Sequence, residues 1–217
     1  ITAGVLEWNK AFERIGFKDA IVVRIEPDDA AFDTLDFGRA SIRWMTNAAP
    51  AWGAIGPRHV DPRSGEILDA DIAIESLSSR SIRTLRSQVL ASASGVDEPG
   101  SADLASGLVC TYADAAAEQM SYALDVLEAR GEIDPDSPQA REFVDAYLKD
   151  TAMHEVGHAL GLRHNFRASR AYTAAQLADP AFTAANGITA SVMEYAAINL
   201  NGPSEPRNRS SLPGIAM

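Results

Sequence analysis

Three histidines and one glutamate stand close together in the segment 154–164, at spacings that fit a catalytic metal site. The segment reads H-E-V-G-H-A-L-G-L-R-H and holds three of the four histidines in the 217-residue chain. Neutral imidazole is a common metal ligand at physiological pH, and this pattern is typical of a catalytic zinc site. The sequence therefore predicts one zinc ion bound by His154, His158 and His164.

The spacing of these residues also predicts the element that positions them. Side chains four positions apart lie on one face of a helix, so His154 and His158 can bind one ion from the same side. Glu155 borders that face and can reach a water on the metal. Gly161 lets the chain turn where the helix ends, because glycine readily adopts the left-handed conformation, and the turn brings His164 back.

The chemistry expected of this arrangement is hydrolysis of an amide, with a peptide bond as the leading substrate. A catalytic zinc has three protein ligands and one open position, lowers the pKa of bound water to about 7 and polarises a carbonyl. Glu155 would take the proton of the water and pass it to the leaving amine. A structural histidine pair on a buried helix face is the alternative, and the glycine and third histidine at fixed offsets argue against it.

A second motif gives the chain a resemblance to the metzincins, a clan of zinc proteases named for a methionine turn below the metal. Residues 191–195 read S-V-M-E-Y, with Met193 29 positions after His164. This Ser-x-Met-x-Tyr pattern is similar to the Met-turn of astacins and serralysins. The resemblance implies that Met193 forms an apolar floor under the histidines and that Tyr195 contacts the zinc or stabilises the oxyanion.

The residues after the third histidine separate the chain from both families. Astacins have glutamate there and serralysins proline, whereas this chain has Asn165 and Phe166. Together with residues 6–12 and 61–67, the two motifs look most like large bacterial zinc-dependent metalloproteases that are mostly known as domains of unknown function. This resemblance extends from about residue 4 to about residue 200. It implies a bacterial, extracytoplasmic protease, periplasmic or secreted, that acts on a peptide or protein.

Composition limits the other classes of function. With 30 acidic and 19 basic residues the net charge is -11, which argues against nucleic acid as a partner. No stretch approaches the roughly 18 apolar residues that span a bilayer, so no membrane span is expected. The chain begins at Ile1 without a basic-then-apolar leader, and we expect either a mature product or a piece cut from a longer chain, so that any targeting signal is out of view.

Two further residues, Cys110 and His59, are of types that bind metals but are not expected to belong to the site. Cys110 is the only cysteine, so an internal disulfide is excluded. Its apolar neighbours predict a buried helix position, and because no histidine lies near it in sequence, a catalytic thiol is not expected. His59, the fourth histidine, is interpreted as a surface residue on a strand.

Hydrophobic periodicity predicts the elements around the motif. The predicted strands are Ala20–Ile25, Ala40–Met45 and a hairpin with arms Gly53–Val60 and Glu66–Ile74, whose second arm alternates apolar and acidic residues. That alternation predicts a half-solvated edge strand near Ala70–Glu75. The resemblance to metzincins implies that such an edge strand above the cleft pairs with extended substrate. The predicted helices are Val5–Ile15, ending near Gly16, Ser76–Ala91, Ala102–Arg130, about Ser137–Leu160 and Ala174–Ala178, with Asn199–Ser211 irregular.

These elements predict an α+β, metzincin-like fold. We expect a twisted, mostly parallel sheet with an antiparallel edge strand, packed on long helices. Residues 1–163 would form an N-terminal subdomain with the sheet and the active-site helix. Residues 164–217 would form a small irregular C-terminal subdomain with the third zinc ligand and the Met-turn.

Two alternatives to a zinc endopeptidase remain open. One is a structural or interaction module that binds zinc without proteolysis, and the other is a hydrolase of a non-protein amide such as a cell-wall peptide. A structural zinc needs no base, so Glu155 argues against the first. A closed site would also prefer four protein ligands, and only Tyr195 is expected to be available as the fourth.

Overall fold

The computed structural model describes residues 1–47, 52–76, 110–134 and 137–200. They form the predicted α+β fold, in which a mixed sheet packs against helices. The helices are α1 (Thr2–Arg14), α2 (Tyr112–Ala129), α3 (Pro138–Ala159), α4 (Ala174–Ala178) and α5 (Pro180–Asn186), with a 3-10 turn at Ala168–Arg170. The strands are β1 (Ser41–Met45), β2 (Ala54–Ile55), β3 (Arg58–Val60) and β4 (Ile67–Glu75).

Strand β4 lies at the centre of the sheet. On one side it pairs in parallel with β1, from Ser41 opposite Asp71 to Met45 opposite Glu75. On the other side it pairs antiparallel with β2 and β3, so the predicted hairpin is present. Because the described strands make one parallel and two antiparallel pairings, the sheet is mixed, and the prediction of a mostly parallel sheet is wrong.

The predicted edge strand at Ala70–Glu75 is also wrong, because this part of β4 is paired on both sides. Two of the three alternating acids do not face water, since Asp69 is 5% exposed and Glu75 is 3% exposed, whereas Asp71 is half-buried. Hydrogen bonds offset the cost of burying them, and the side-chain amide of Asn47 donates to Glu75 at 2.7 Å. The antiparallel edge of the described sheet consists instead of residues 54–60.

The predicted strand at Ala20–Ile25 does not form a ladder with any described strand. Its backbone is held by one side chain. Asn9 accepts a hydrogen bond from the N–H of Ile21 at 2.8 Å and donates one to its carbonyl at 2.9 Å. Ile21 and Val23 pack against the core, so buried and exposed side chains alternate along this segment as they do in a strand. Its backbone, however, bonds to a side chain of α1 and not to a neighbouring strand.

Helix α1 packs closely against α3. The backbones approach closely at Gly4, where an added Cβ would meet the carbonyl oxygen of Lys149 and lie 3.0 Å from the Cβ of Ala152. Lys149 also pairs with Glu7 at 2.7 Å. Helix α1 ends as predicted, with Gly16 following at a φ of 95°.

The buried core joins the sheet to α1 and α3. It comprises Val5, Ala54, Ala70, Ile72, Ile74, Ala113, Ala152, Val156 and Ala159. A second apolar cluster joins α2 to α3: Met120, Ala123, Leu124, Leu127, Ile133, Ala140 and Phe143. Helix α3 belongs to both clusters and is therefore fixed from both sides.

Other predictions have mixed outcomes. The helix at Ala174–Ala178 is confirmed. The predicted helix at Ser76–Ala91, the start of Ala102–Arg130 and most of Asn199–Ser211 lie outside the described residues. The division at residues 163 and 164 stays a prediction. Among the described helices, none combines the length and apolar character needed to cross a bilayer.

Candidate metal centre

Helix α3 begins and ends at the residues that the sequence indicates. The Ser137 side chain caps it by accepting a hydrogen bond from the Ala140 N–H, and Pro138 occupies its first turn. At the other end Gly161 has a φ of 101°, and the Leu162 N–H returns to the Gly157 carbonyl at 2.9 Å. This turn reverses the chain towards the helix face that carries the first two histidines.

The structure brings all three predicted metal ligands together. The Nε2 atoms of His154 and His158 are 3.1 Å apart, and those of His158 and His164 are 3.0 Å apart. His154 is fully buried, and the other two rings are half-buried. The three ring nitrogens therefore converge on one point at the end of α3.

Backbone carbonyls orient two of these rings. The Nδ1–H of His154 donates to the Val192 carbonyl at 2.7 Å, and that of His158 donates to the Leu162 carbonyl at 3.1 Å. A proton on Nδ1 leaves each Nε2 lone pair free for a metal. Burial lowers the pKa of His154 to about 3 and also lowers the pKa of His158 and of His164, so the rings are neutral near pH 7.

Met193 lies beneath the ligand helix. It is 2% exposed, and a Cβ added to Gly157 would collide with its Sδ. On the other side the same Cβ would lie 3.1 Å from the Trp8 ring, whose Nε1–H donates to the Met153 carbonyl at 3.0 Å. Position 157 therefore has room only for glycine, between the two histidines of the helix.

The segment around Met193 forms a tight turn joined to the third histidine. The Glu194 N–H donates to the Ser191 carbonyl at 3.2 Å, which closes the turn. The Asn165 N–H donates to the Met193 carbonyl at 2.8 Å. Glu194 is buried, and its carboxylate accepts the Ser169 N–H at 3.0 Å. These bonds fix the chain on either side of His164 against the turn.

Glu155 is a buried carboxyl group at the centre. It is fully buried, and among the described residues only the Cys110 thiol is placed to donate a hydrogen bond to it. Burial raises its pKa to about 7, and the Cys110 thiol lowers it somewhat. Gly56 lies directly over it, since a Cβ there would be 3.1 Å from Oε2 and 2.7 Å from the Glu155 carbonyl oxygen. A buried carboxyl with a thiol as its sole donor needs a functional or ionic explanation.

Tyr195 also reaches the centre. Its ring centroid is 4.8 Å from that of His164, and its hydroxyl accepts the Thr111 N–H at 3.0 Å. Burial raises the pKa of Tyr195 above its ordinary value, so the hydroxyl keeps its proton near neutral pH. The hydroxyl oxygen is 3.4 Å from the Sγ of Cys110, which makes the cysteine its neighbour at the site.

Cys110 is the residue that the sequence analysis missed. It does not lie within a described helix but immediately precedes α2, and its Sγ is 3.5 Å from His154 Nε2 and 3.4 Å from His164 Nε2. The four donor atoms of Cys110, His154, His158 and His164 all lie within 4.8 Å of one another. Because 44 residues separate Cys110 from the nearest of these histidines, no local spacing signals the contact.

A cleft runs past the centre on the side of the sheet edge. It has a volume of about 570 Å³ and is lined by Trp52, Ile55, Gly56, Pro57, Arg58, Cys110, His158, Gly161, Leu162, Arg163 and His164. Arg58 joins the edge to the helix, because its guanidinium donates to the His158 carbonyl at 2.6 Å. His59 is exposed on β3, as predicted, and is not part of this lining.

The donor set fits a zinc ion. Imidazole nitrogen and cysteine sulfur are the ligand atoms that zinc takes most often, and borderline-soft cations prefer them to oxygen. The neutral rings, the oriented Nε2 atoms and the buried carboxyl beside them are the features expected of a built cation site.

Comparison with known proteins agrees with this geometry. A family model described as Met-zincin matches residues 136–215, which include α3, all three histidines and the Met193 turn. The match supports a metzincin-type family and the zinc metalloprotease class. Nothing among curated proteins or solved structures matches the chain.

Proposed function

We propose that this chain is a zinc-dependent endopeptidase in which His154, His158 and His164 hold the ion and Glu155 is the general base. One observation carries the proposal: a fully buried carboxyl, with no hydrogen-bond donor among the described residues other than the Cys110 thiol, lies beside three converging, neutral imidazoles. A purely structural site has no use for that carboxyl, whereas hydrolysis needs a base in that place.

The roles of the residues follow from their positions. Zinc, when bound, supplies a Lewis acid that polarises a carbonyl and acidifies water. Glu155, ionised, takes a proton from the attacking water on one of its oxygens and then delivers it to the leaving amine. With a raised pKa it is a better proton acceptor than an ordinary glutamate, and it can also return the proton.

Tyr195 would stabilise the negative charge that develops on the carbonyl oxygen. Its hydroxyl keeps its proton and lies at the centre beside His164. The Thr111 N–H holds the hydroxyl oxygen, and the bond leaves the hydroxyl proton available for a substrate oxygen.

The edge formed by residues 54–60 would bind extended substrate. Among the described strands, β2 and β3 pair only with β4, so their other edge has no strand partner. Ile55, Gly56 and Arg58 line the cleft beside His158. Main-chain pairing with an exposed edge is a recurrent way to bind a peptide of varied sequence. A peptide or protein substrate in a bacterial extracytoplasmic compartment remains part of the proposal and rests on the sequence resemblance.

The test is proteolysis of unfolded protein substrates by the zinc-loaded chain, with zinc content measured on the same samples. We expect the Glu155→Gln variant to retain one zinc per chain and to lose cleavage by about 10²–10⁴-fold. Glu142→Gln, on an exposed position of the same helix, is the matched control and should cleave like the parent. Equal cleavage by the Glu155→Gln variant and the parent would refute the assigned mechanism.

A second candidate, a structural zinc module, is favoured by the position of Cys110. From the sequence, Tyr195 was the expected fourth ligand, but the Sγ of Cys110 lies within 4.8 Å of the three imidazole nitrogens and is a second possible fourth ligand. A closed site of three histidines and one cysteine would bind zinc without hydrolysis. This candidate predicts one zinc per chain and no chelator-sensitive cleavage by the parent or by any cysteine variant.

A further inference from the structure

We propose that Cys110 is a fourth ligand of the same ion, and that its sulfur occupies the coordination position that hydrolysis needs, so that the chain holds itself in a latent form. The latency rests on the proposed function, whereas the metal–sulfur bond does not. In this arrangement cleavage requires that the cysteine leave the metal.

Two of the three distances from Sγ to the imidazole nitrogens agree with a shared tetrahedral centre, and all four donor atoms lie within 4.8 Å of one another. Metal–nitrogen bonds of about 2.0–2.1 Å and a metal–sulfur bond of about 2.3 Å place sulfur roughly 3.6 Å from each nitrogen. Sγ lies 3.5 Å from His154 Nε2 and 3.4 Å from His164 Nε2. The nitrogens are 3.1 and 3.0 Å apart in the two closest pairs, against about 3.4 Å for the ideal centre.

The neighbours of Cys110 are themselves attached to the centre. The Thr111 N–H donates to the Tyr195 hydroxyl at 3.0 Å. The buried ring of Tyr112 stacks on His154 with centroids 3.8 Å apart. Two residues in sequence after the cysteine are therefore fixed against the metal site, and this places Sγ among the ring nitrogens.

The surroundings of Cys110 distinguish it from an ordinary buried cysteine. A structural cysteine packs as a small apolar side chain, whereas this sulfur contacts two imidazoles and a phenol. It is the only cysteine in the chain, so it has no disulfide partner within the chain. It also lines the cleft together with His158 and His164, on the side from which substrate would enter.

The proposed switch is a ligand exchange that needs no oxidant. When sulfur binds the ion, the S–H bond breaks and its proton goes to solvent. When sulfur leaves, it takes up a proton from solvent, and the coordination position is open again.

Spectroscopy of the metal-loaded chain tests the bond directly. Cobalt(II) bound to thiolate gives an intense near-ultraviolet charge-transfer band, and zinc X-ray absorption detects a sulfur neighbour. We expect both signals in the parent and in the Tyr195→Phe variant, and neither in Cys110→Ser. A parent chain with one bound metal and no sulfur signal would overturn the inference, and this outcome does not depend on the folding of any variant.

Activity then tests latency separately. We expect the Cys110→Ser variant to cleave unfolded proteins at least about tenfold faster than the parent at equal zinc content. In the parent the sulfur must first leave the coordination position, and a tenfold effect corresponds to a cost of about 1.4 kcal/mol for that step. A sulfur signal with no gain in cleavage by this variant overturns latency. A sulfur signal with no cleavage by any variant refutes the proposed function and leaves the ligand in place. Chelator-sensitive cleavage without a sulfur signal supports the proposed function and refutes Cys110 as a ligand.

Discussion

The ring of Tyr112 lies flat against the imidazole of His154, with centroids 3.8 Å apart and planes 4° apart. The same imidazole is also held by a hydrogen bond, because its Nδ1–H donates to the Val192 carbonyl. The stacking on Tyr112 thus fixes the plane of the His154 ring, and the hydrogen bond to the Val192 carbonyl fixes the rotation of the ring within that plane. Groups behind a metal ligand usually govern affinity in this way.

Loss of the Tyr112 ring should weaken metal binding. We expect the Tyr112→Leu variant to bind zinc about 10–100-fold more weakly in chelator competition, because the His154 ring loses the aromatic ring that stacks on it. Tyr112→Phe keeps the ring and is the matched control, with affinity close to that of the parent. Equal affinities of the leucine variant and the parent would show that the stacking does not position the ligand.

An added methyl group at position 157 should destabilise the fold. In the Gly157→Ala variant the Cβ collides with Met193 Sδ and approaches Trp8. Overpacking of this kind costs about 1–3 kcal/mol, which exceeds or offsets the gain of about 1 kcal/mol from replacing a helical glycine. Thermal unfolding should show a lower midpoint, whereas Arg141→Ala, on an exposed position of α3, should change little. A stabilised Gly157→Ala variant would contradict the packing described.

A methyl group at position 56 should act on catalysis more than on metal content. Its Cβ would lie 2.7 Å from the Glu155 carbonyl oxygen, so either the cleft edge or the carboxyl must move. Misplacement of a catalytic group by about 1 Å can cost about 100-fold in rate. We expect Gly56→Ala to lower kcat/KM by at least about tenfold with one zinc retained. The control Val60→Ala, on an exposed position of β3, should cleave normally.

The stability of the fold should depend on pH through Asp150. This residue lies on α3 beside an apolar cavity of about 110 Å³, and burial raises its pKa from 3.8 to about 7. The folded chain therefore holds a proton that the unfolded chain releases, and the penalty grows as pH rises from about 4 to about 7.

Replacement of Asp150 by asparagine removes that penalty. We expect Asp150→Asn to exceed the parent in free energy of unfolding by roughly 1–3 kcal/mol at pH 8 and by much less near pH 4. Denaturant titrations of metal-free protein at both pH values measure this difference. Asp145→Asn, at an exposed position of the same helix, is the control. A difference between variant and parent that does not change with pH would rule out the buried ionisation.

Local signals predicted the part of the site that depends on local structure. The Ser137 cap, the proline after it and the glycine at position 161 define α3 from its own sequence, and the spacing of the histidines then follows from helix geometry. The Met193 turn is a prediction from the resemblance that its short motif carries, and the bond that closes it, from the Glu194 N–H to the Ser191 carbonyl, is local.

Contacts distant in sequence could not be predicted in the same way. Cys110 and Tyr112 reach His154 only through the packing of α2 on α3, and a lone cysteine carries no spacing. In β4, alternation correctly predicted a strand but not its neighbours. Acidic residues can face water or accept buried hydrogen bonds, and the pattern in sequence is the same for both.

The packing of Trp8 against the ligand helix gives the molecule an optical reporter of its own. The chain has three tryptophans, and the indole of this one touches position 157 and donates to the Met153 carbonyl. With Trp44 and Trp52 replaced by phenylalanine, intrinsic tryptophan fluorescence would come from a single indole beside the ligand helix. Ion uptake and release could then be followed in real time without an attached dye.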